Sequence, residues 1–215
     1  MLFLFESYFV AVIRSKIEKD MIYYICKYLA IFLLKVFCSF QVKGVDNIPL
    51  EGPCFLVANH SSNLDPIVLG CASSRRVYFV AKEELFRNPL ASFFLQRLGA
   101  FPLHRGAGDK GAVQRIFSLL GEGKVVGLFP EGTRGEGKVG DFQRGALKLL
   151  LRAQVPVVVA GIRGTYESLP RGKKIPRPFP IQVSFSSPVE VKGWNIEEVE
   201  KKIREEMEAL LSERC

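Results

Sequence analysis

A histidine and an aspartate stand five positions apart in the run Asn59-His60-Ser61-Ser62-Asn63-Leu64-Asp65, and His60 is one of only two histidines in the chain. An imidazole beside a carboxylate is a proton-transfer pair. The carboxylate fixes which ring nitrogen carries the proton, and the other nitrogen accepts one. The run follows a short apolar stretch, Phe55-Leu56-Val57-Ala58. A second polar knot, Phe129-Pro130-Glu131-Gly132-Thr133-Arg134, follows another. In it Gly132 allows close backbone approach, and Thr133 and Arg134 offer donors to an anion. A base, an acid and an anion cradle together suggest proton transfer beside a bound phosphate.

Five residues turn about 140° on an α-helix, so His60 and Asp65 cannot share a helical face. Pro66 offers another geometry. A residue before proline avoids the helical region, and proline suits the first helical position. Asp65 is then expected as the N-cap of a helix starting at Pro66, with His60 to Leu64 as the loop after a strand. In such a tight turn the two side chains can converge. The same run also fits a simple helix cap beside an ordinary loop histidine.

No G-x-S-x-G elbow occurs. Ser61 and Ser62 adjoin His60 on one loop, which is a poor arrangement for a nucleophile and its base. His60 is therefore expected to act on a hydroxyl of the substrate. A third polar cluster ends Gly99-Ala100-Phe101-Pro102-Leu103-His104-Arg105. Strand alternation sets Arg105 on the face of Phe101 and Leu103, and His104 on the other.

The chain carries 30 basic and 22 acidic residues, a net charge of +8. That favours an anionic partner: nucleic acid, a membrane surface or a phosphorylated substrate. The basic residues form no long run and no nucleic-acid motif is visible, which argues against nucleic acid. The five cysteines are odd in number and show no CxxC spacing, so neither a disulfide framework nor a metal site is expected. A reduced, cytosolic setting is the default.

Residues 1–42 differ from the rest. Met1 to Ile13 is nearly all apolar, Arg14 to Asp20 is charged, and Met21 to Val42 is apolar again. No basic region precedes the first stretch, so it does not read as a signal peptide. It is too short to span a bilayer, which takes about 20 residues. The second is long enough, but Lys27 and Lys35 interrupt it. A pair of membrane-associated helices embedded in one leaflet is expected, with a single span as the alternative. Residues 43–215 form the remaining domain. Strands are expected at 53–58, 76–81, 99–104, 124–129, 155–161 and 181–186. Helices are expected at 66–72, 83–97, 109–121, 142–153 and 195–213, the fourth capped by Asp141. The segment from Gly164 to Pro180 reads as a long loop. The alternation predicts an α/β fold: a mixed, largely parallel central sheet flanked by helices.

Taken together, these pieces resemble the glycerolipid acyltransferase family over roughly residues 50–165. Its Asn-His-x4-Asp motif is present as Asn59-His60…Asp65, its aromatic–Arg motif as Phe101…Arg105, and its third motif as Phe129-Pro130-Glu131-Gly132-Thr133-Arg134. Val155-Pro156-Val157-Val158-Val159 matches the fourth, with Val159 where a second proline is usual. The resemblance implies that His60, oriented by Asp65, is the general base. It implies that Arg105, Glu131, Gly132, Thr133 and Arg134 bind a substrate phosphate. Because Glu131 is acidic, it is expected at a hydroxyl or beside an arginine. Backbone N–H groups near the Asn59 loop are candidate oxyanion donors.

The compact chain resembles bacterial members that acylate the 2-hydroxyl of 1-acylglycerol 3-phosphate (lysophosphatidic acid), giving phosphatidic acid. The acyl donor would be acyl-CoA or acyl carrier protein, without a cofactor, a metal or an acyl-enzyme, at the cytoplasmic face of the cell membrane among its lipids. Glycerol 3-phosphate or another lysophospholipid is an alternative acceptor. Thioester hydrolysis and a non-catalytic lipid-binding scaffold are the alternatives in kind. Leu85, Phe86, Leu90, Phe93, Phe94 and Leu98 are candidates for an acyl slot or for ordinary helix core.

Overall fold

The computed structural model describes residues 2–103, 110–135 and 139–212, with side chains from Asp20 onward apart from that of Leu103. In chain order the elements are α1 (Leu2–Cys38), β1 (Gln41–Lys43), β2 (Cys54–Ala58), α2 (Asp65–Ala72), β3 (Val77–Lys82), α3 (Pro89–Arg97), β4 (Ala100–Leu103), α4 (Lys110–Gly121), β5 (Val125–Leu128), α5 (Arg144–Ala153), β6 (Val157–Arg163), α6 (Thr165–Ser168), β7 (Gln182–Phe185) and α7 (Ile196–Ser212).

The described strands form one sheet in the order β1-β7-β6-β2-β5-β3-β4. From β6 to β4 every pairing is parallel, whereas β7 runs antiparallel to β6 and pairs in parallel with β1. This is the mixed, largely parallel sheet expected. Central β2 is buried at every position. Its side chains alternate between two cores. Leu56 and Ala58 enter the layer under α1 and α2, and Phe55 and Val57 enter the layer under α4, α5 and α7. The predicted stripe of α7 is buried there through Val199, Ile203, Met207 and Leu210.

Five local expectations are corrected. The N-terminus forms one helix where a pair was expected. The charged stretch from Arg14 to Asp20 contains mostly good helix formers, and no Gly or Pro interrupts residues 2–38. The helix expected over 83–97 divides into a 3-10 turn, Glu83–Phe86, and α3. Pro89 forces Asn88 into extended backbone, and the Asn88 side chain then caps α3 by accepting the Ala91 N–H at 3.0 Å. The cap residue of α5 is Gln143, not Asp141. The loop from Gly164 carries α6, and β1 lies where no strand was expected.

One side of α1 packs on the body of the fold. Tyr23, Leu34 and Cys38 are buried there. Lys27 Nζ donates to the Ser73 carbonyl at 2.6 Å, and Arg76 pairs with Asp20 at 2.7 Å while lying over the Tyr23 ring. Lys27 therefore interrupts the apolar run for a local reason: it faces the domain. On the opposite side Tyr24, Ile25, Tyr28, Leu29, Phe32 and Phe37 stand exposed at helical spacing.

Candidate active site

Strand order assembles the site. β2 lies between β5 and β6, with Val57 opposite Leu128 on one side and Ala58 opposite Ala160 on the other. The segments leaving β2 and β5 at their C-terminal ends therefore run side by side, the position favoured for ligands in parallel α/β sheets. His60 leaves the first strand and Glu131 leaves the second.

His60 and Asp65 meet as expected. His60 Nδ1 lies 2.8 Å from Asp65 Oδ2. The Asp65 side chain is fully buried, and that of His60 keeps 19% of its surface open. The same carboxylate oxygen accepts the N–H of Ser61 at 2.6 Å and of Ser62 at 2.7 Å. These donors turn Asp65 back into the loop. It is the first residue of α2, Leu64 occupies the cap position, and no side-chain cap bond forms. The expected N-cap role is thus replaced by a loop anchor and a partner for the imidazole. Three N–H groups converging on one oxygen stabilise a charge that burial alone would penalise. Because Asp65 holds Nδ1, the proton-accepting position is Nε2, which has no partner among the described residues.

Phe129 and Asn59 complete the support of His60. The Phe129 ring stacks on the imidazole with centroids 4.4 Å apart, and Phe79 stacks behind Phe129 at 6.1 Å. Gly127 makes room for this column, because a Cβ there would come within 2.3 Å of the Phe79 ring. Asn59 extends the β2–β6 ladder by one side chain. Its Oδ1 accepts the Ile162 N–H at 2.8 Å, and its Nδ2 donates to the Ile162 carbonyl at 2.9 Å. Sequence alone shows a Phe and an Asn at strand ends, and nothing local distinguishes these roles from core packing and a turn.

Neither serine hydroxyl is hydrogen-bonded to His60. Ser62 Oγ donates to the Leu169 carbonyl at 2.8 Å, and Ser61 Oγ lies 3.3 Å from Thr165 Oγ1. Both hydroxyls tie the loop to α6.

The residues expected around a phosphate fall into three groups. Gly132, with φ of 66°, makes a turn that carries Gly132 and Thr133 to the surface and leaves Arg134 half-buried. The Arg134 guanidinium has no partner among the described residues and is free to meet an anion. Glu131 is placed differently. It is buried, its Oε1 accepts the His60 N–H at 2.9 Å, and it pairs with no arginine among the described residues. Arg105 lies outside the described residues. The preceding strand, β4, is separated from β2 by β5 and β3, which places β4 about 14 Å across the sheet at about 4.8 Å per strand.

Most backbone N–H groups of the Asn59 loop are committed, which argues against them as oxyanion donors. Those of His60, Ser61, Ser62, Leu64 and Asp65 all meet partners within the protein. The apolar set on and before α3 is not core either. Leu85, Leu90, Phe93 and Phe94 are exposed, and α3 has no buried residue. No group of three or more His, Cys, Asp or Glu side chains capable of holding a metal occurs among the described residues.

A family model described as Acyltransferase matches residues 39–163, a span that runs from β1 to the end of β6 and includes His60, Asp65 and Arg134. The chain belongs to the acyltransferase family. Similar proteins include the 1-acyl-sn-glycerol-3-phosphate acyltransferase of Bacillus subtilis, 32% identical over 136 residues, or 61% of this chain and 68% of that protein. The chloroplastic 1-acyl-sn-glycerol-3-phosphate acyltransferase BAT2 of Brassica napus is 30% identical over 71% of this chain and 45% of its own length. The matched region thus spans under half of the plant protein. Among solved structures, the 1-acyl-sn-glycerophosphate (LPA) acyltransferase PlsC from Thermotoga maritima superposes with a TM-score of 0.73 at 27% identity, covering 89% of this chain and 77% of that one.

Proposed function

We propose that this acyltransferase moves a fatty acyl group from acyl-CoA or acyl carrier protein to the 2-hydroxyl of 1-acylglycerol 3-phosphate, giving phosphatidic acid. The observation that carries the reading is the His60–Asp65 pair, open at Nε2 and one hydrogen bond away from the Glu131–Arg134 loop. His60 Nε2 takes the proton of the acceptor hydroxyl as its oxygen attacks the thioester carbonyl carbon. Asp65 keeps Nδ1 protonated and stabilises the imidazolium. The tetrahedral intermediate expels the thiolate, which leaves with the proton from Nε2. No residue of the chain is acylated. Arg134 and Thr133, with Arg105, hold the acceptor phosphate. The printed names of the relatives and of the solved structure support this choice of acceptor.

The test is an assay on lipid vesicles with labelled acyl thioester and lysophosphatidic acid, glycerol 3-phosphate or no acceptor. Label moving to lysophosphatidic acid supports the reading. Transfer only to glycerol 3-phosphate, or release of free fatty acid at the same rate without acceptor, overturns it. Within that assay, Arg134→Ala is expected to raise the acceptor KM about tenfold or more, with a small effect on kcat, as for loss of a charge-assisted contact worth about 1.5–3 kcal/mol. A change confined to the KM for the acyl thioester would contradict the assignment.

The membrane reading follows from α1. Residues Asp20–Cys38 are long and apolar enough to cross a bilayer. One side of that segment, however, is covered by the domain, so lipid cannot surround it. The segment lies along one leaflet at the cytoplasmic face, with its exposed aromatic stripe in the acyl region and the exposed apolar side of α3 nearby. Each large apolar side chain withdrawn from water contributes about 1.5–3 kcal/mol. The double variant F32E/F37E is therefore expected to weaken co-sedimentation with vesicles at least about tenfold while leaving the domain folded. Unchanged sedimentation would remove this orientation.

A further inference from the structure

Glu131 opens a turn whose other residues face outward, yet it is only 4% exposed. Its Oε1 accepts the main-chain N–H of His60 at 2.9 Å. Its other oxygen lies against Gly140, whose main-chain N–H favours the charged carboxylate. Four residues on, the Gly135 N–H donates to the His60 carbonyl at 2.8 Å. Both main-chain polar groups of His60 are thus held by the one loop. A carboxylate only 4% exposed and already spent on main-chain donors offers little to a substrate, and its charge would oppose a phosphate dianion.

The geometry assigns Glu131 as a positioning residue: it fixes the main chain of His60, so that the imidazole stays between Asp65 and Phe129, and it does not touch the acceptor. This rests on the proposed role of His60 as base. Burial raises the Glu131 carboxyl above its usual range, opposed by the N–H groups of His60 and Gly140. That balance is the one expected of a carboxylate held by main-chain donors. A rigid base matters because a displacement of about 1 Å can cost about a hundredfold in rate.

Two variants separate positioning from binding. Glu131→Gln keeps an acceptor for His60 but turns an amide donor toward the Gly140 N–H. Glu131→Asp keeps the charge and withdraws it by one methylene. In the vesicle assay both are expected to lower kcat about ten- to a hundredfold, with the KM for lysophosphatidic acid within about twofold of the parent value. A second readout needs no turnover. The chain has two histidines, so 15N-histidine NMR of the detergent-solubilised protein resolves two imidazoles, and His60→Ala assigns them. Glu131→Gln is expected to move the His60 Nδ1 signal, while Arg134→Ala leaves it in place. Glu131→Gln raising the acceptor KM about tenfold at unchanged kcat would overturn the assignment, as would an unmoved His60 signal in both Glu131 variants. If the parent protein transfers no acyl group, the proposed function fails, and the NMR result still decides the role of Glu131.

Discussion

His60→Ala is expected to lower kcat about a hundred- to ten-thousand-fold, the usual contribution of a positioned general base. The fold should survive. The imidazole is partly open to solvent, and the main-chain bonds of residue 60 to Glu131 and Gly135 do not require the ring. What is lost is proton removal from the acceptor hydroxyl, which otherwise reaches the thioester as a weak nucleophile. Arg134 still holds the phosphate, so the acceptor KM should change little. Initial rates over a range of acceptor concentrations, with circular dichroism of the same preparation, test this. A folded variant with near-normal turnover would remove His60 from the mechanism.

Asp65 should yield a contrast between two substitutions. All three of its hydrogen-bond donors converge on Oδ2, whereas Oδ1 is buried without a partner. An asparagine can place its carbonyl oxygen where Oδ2 lies and keep all three bonds. Asp65→Asn therefore removes the charge and little else. Its kcat is expected to fall about a hundredfold or more, because the imidazolium formed during proton transfer loses its counter-charge. Asp65→Ala instead leaves the buried Ser61 and Ser62 N–H groups without an acceptor. At about 1–3 kcal/mol each, the domain should lose roughly 2–6 kcal/mol of stability. Thermal melts of the two variants beside their turnover separate the charge from the anchor. An asparagine variant that melts as low as the alanine one would show that the loop requires a carboxylate. One with parental turnover would confine Asp65 to holding the loop.

Much of this molecule is legible in local sequence. Strand–helix alternation follows from apolar runs of a few residues, and β2, β3, β5, β6 and β7 fall within two residues of where those runs predict them. That a helix starts beside Asp65 follows from Pro66, which suits the first helical positions, so the tight loop before it can bring His60 and Asp65 together. Arg134 is readable as an anion donor because glycine precedes it in the turn after a buried strand. The expectation for the N-terminus failed on a different point. A charged stretch separates its two apolar pieces, but the residues of that stretch are compatible with helix, so α1 runs on.

Other features depended on which distant segments became neighbours. The order of the sheet set β5 and β6 on either side of β2, and no local pattern specifies strand order. That order brought Glu131 to the His60 N–H across a sequence separation of 71 and Asn59 to Ile162 across one of 103. It turned the Glu131 carboxylate onto the main chain of the histidine. Likewise, packing against the domain covered one side of α1, so a segment apolar enough to cross a bilayer is left with one free face. The sequence alone determined which residues could do acid–base chemistry, since residue type and proline placement are local properties. Tertiary structure decided which way each of them points, because a buried polar side chain turns toward whatever partner the fold brings within about 3 Å of it.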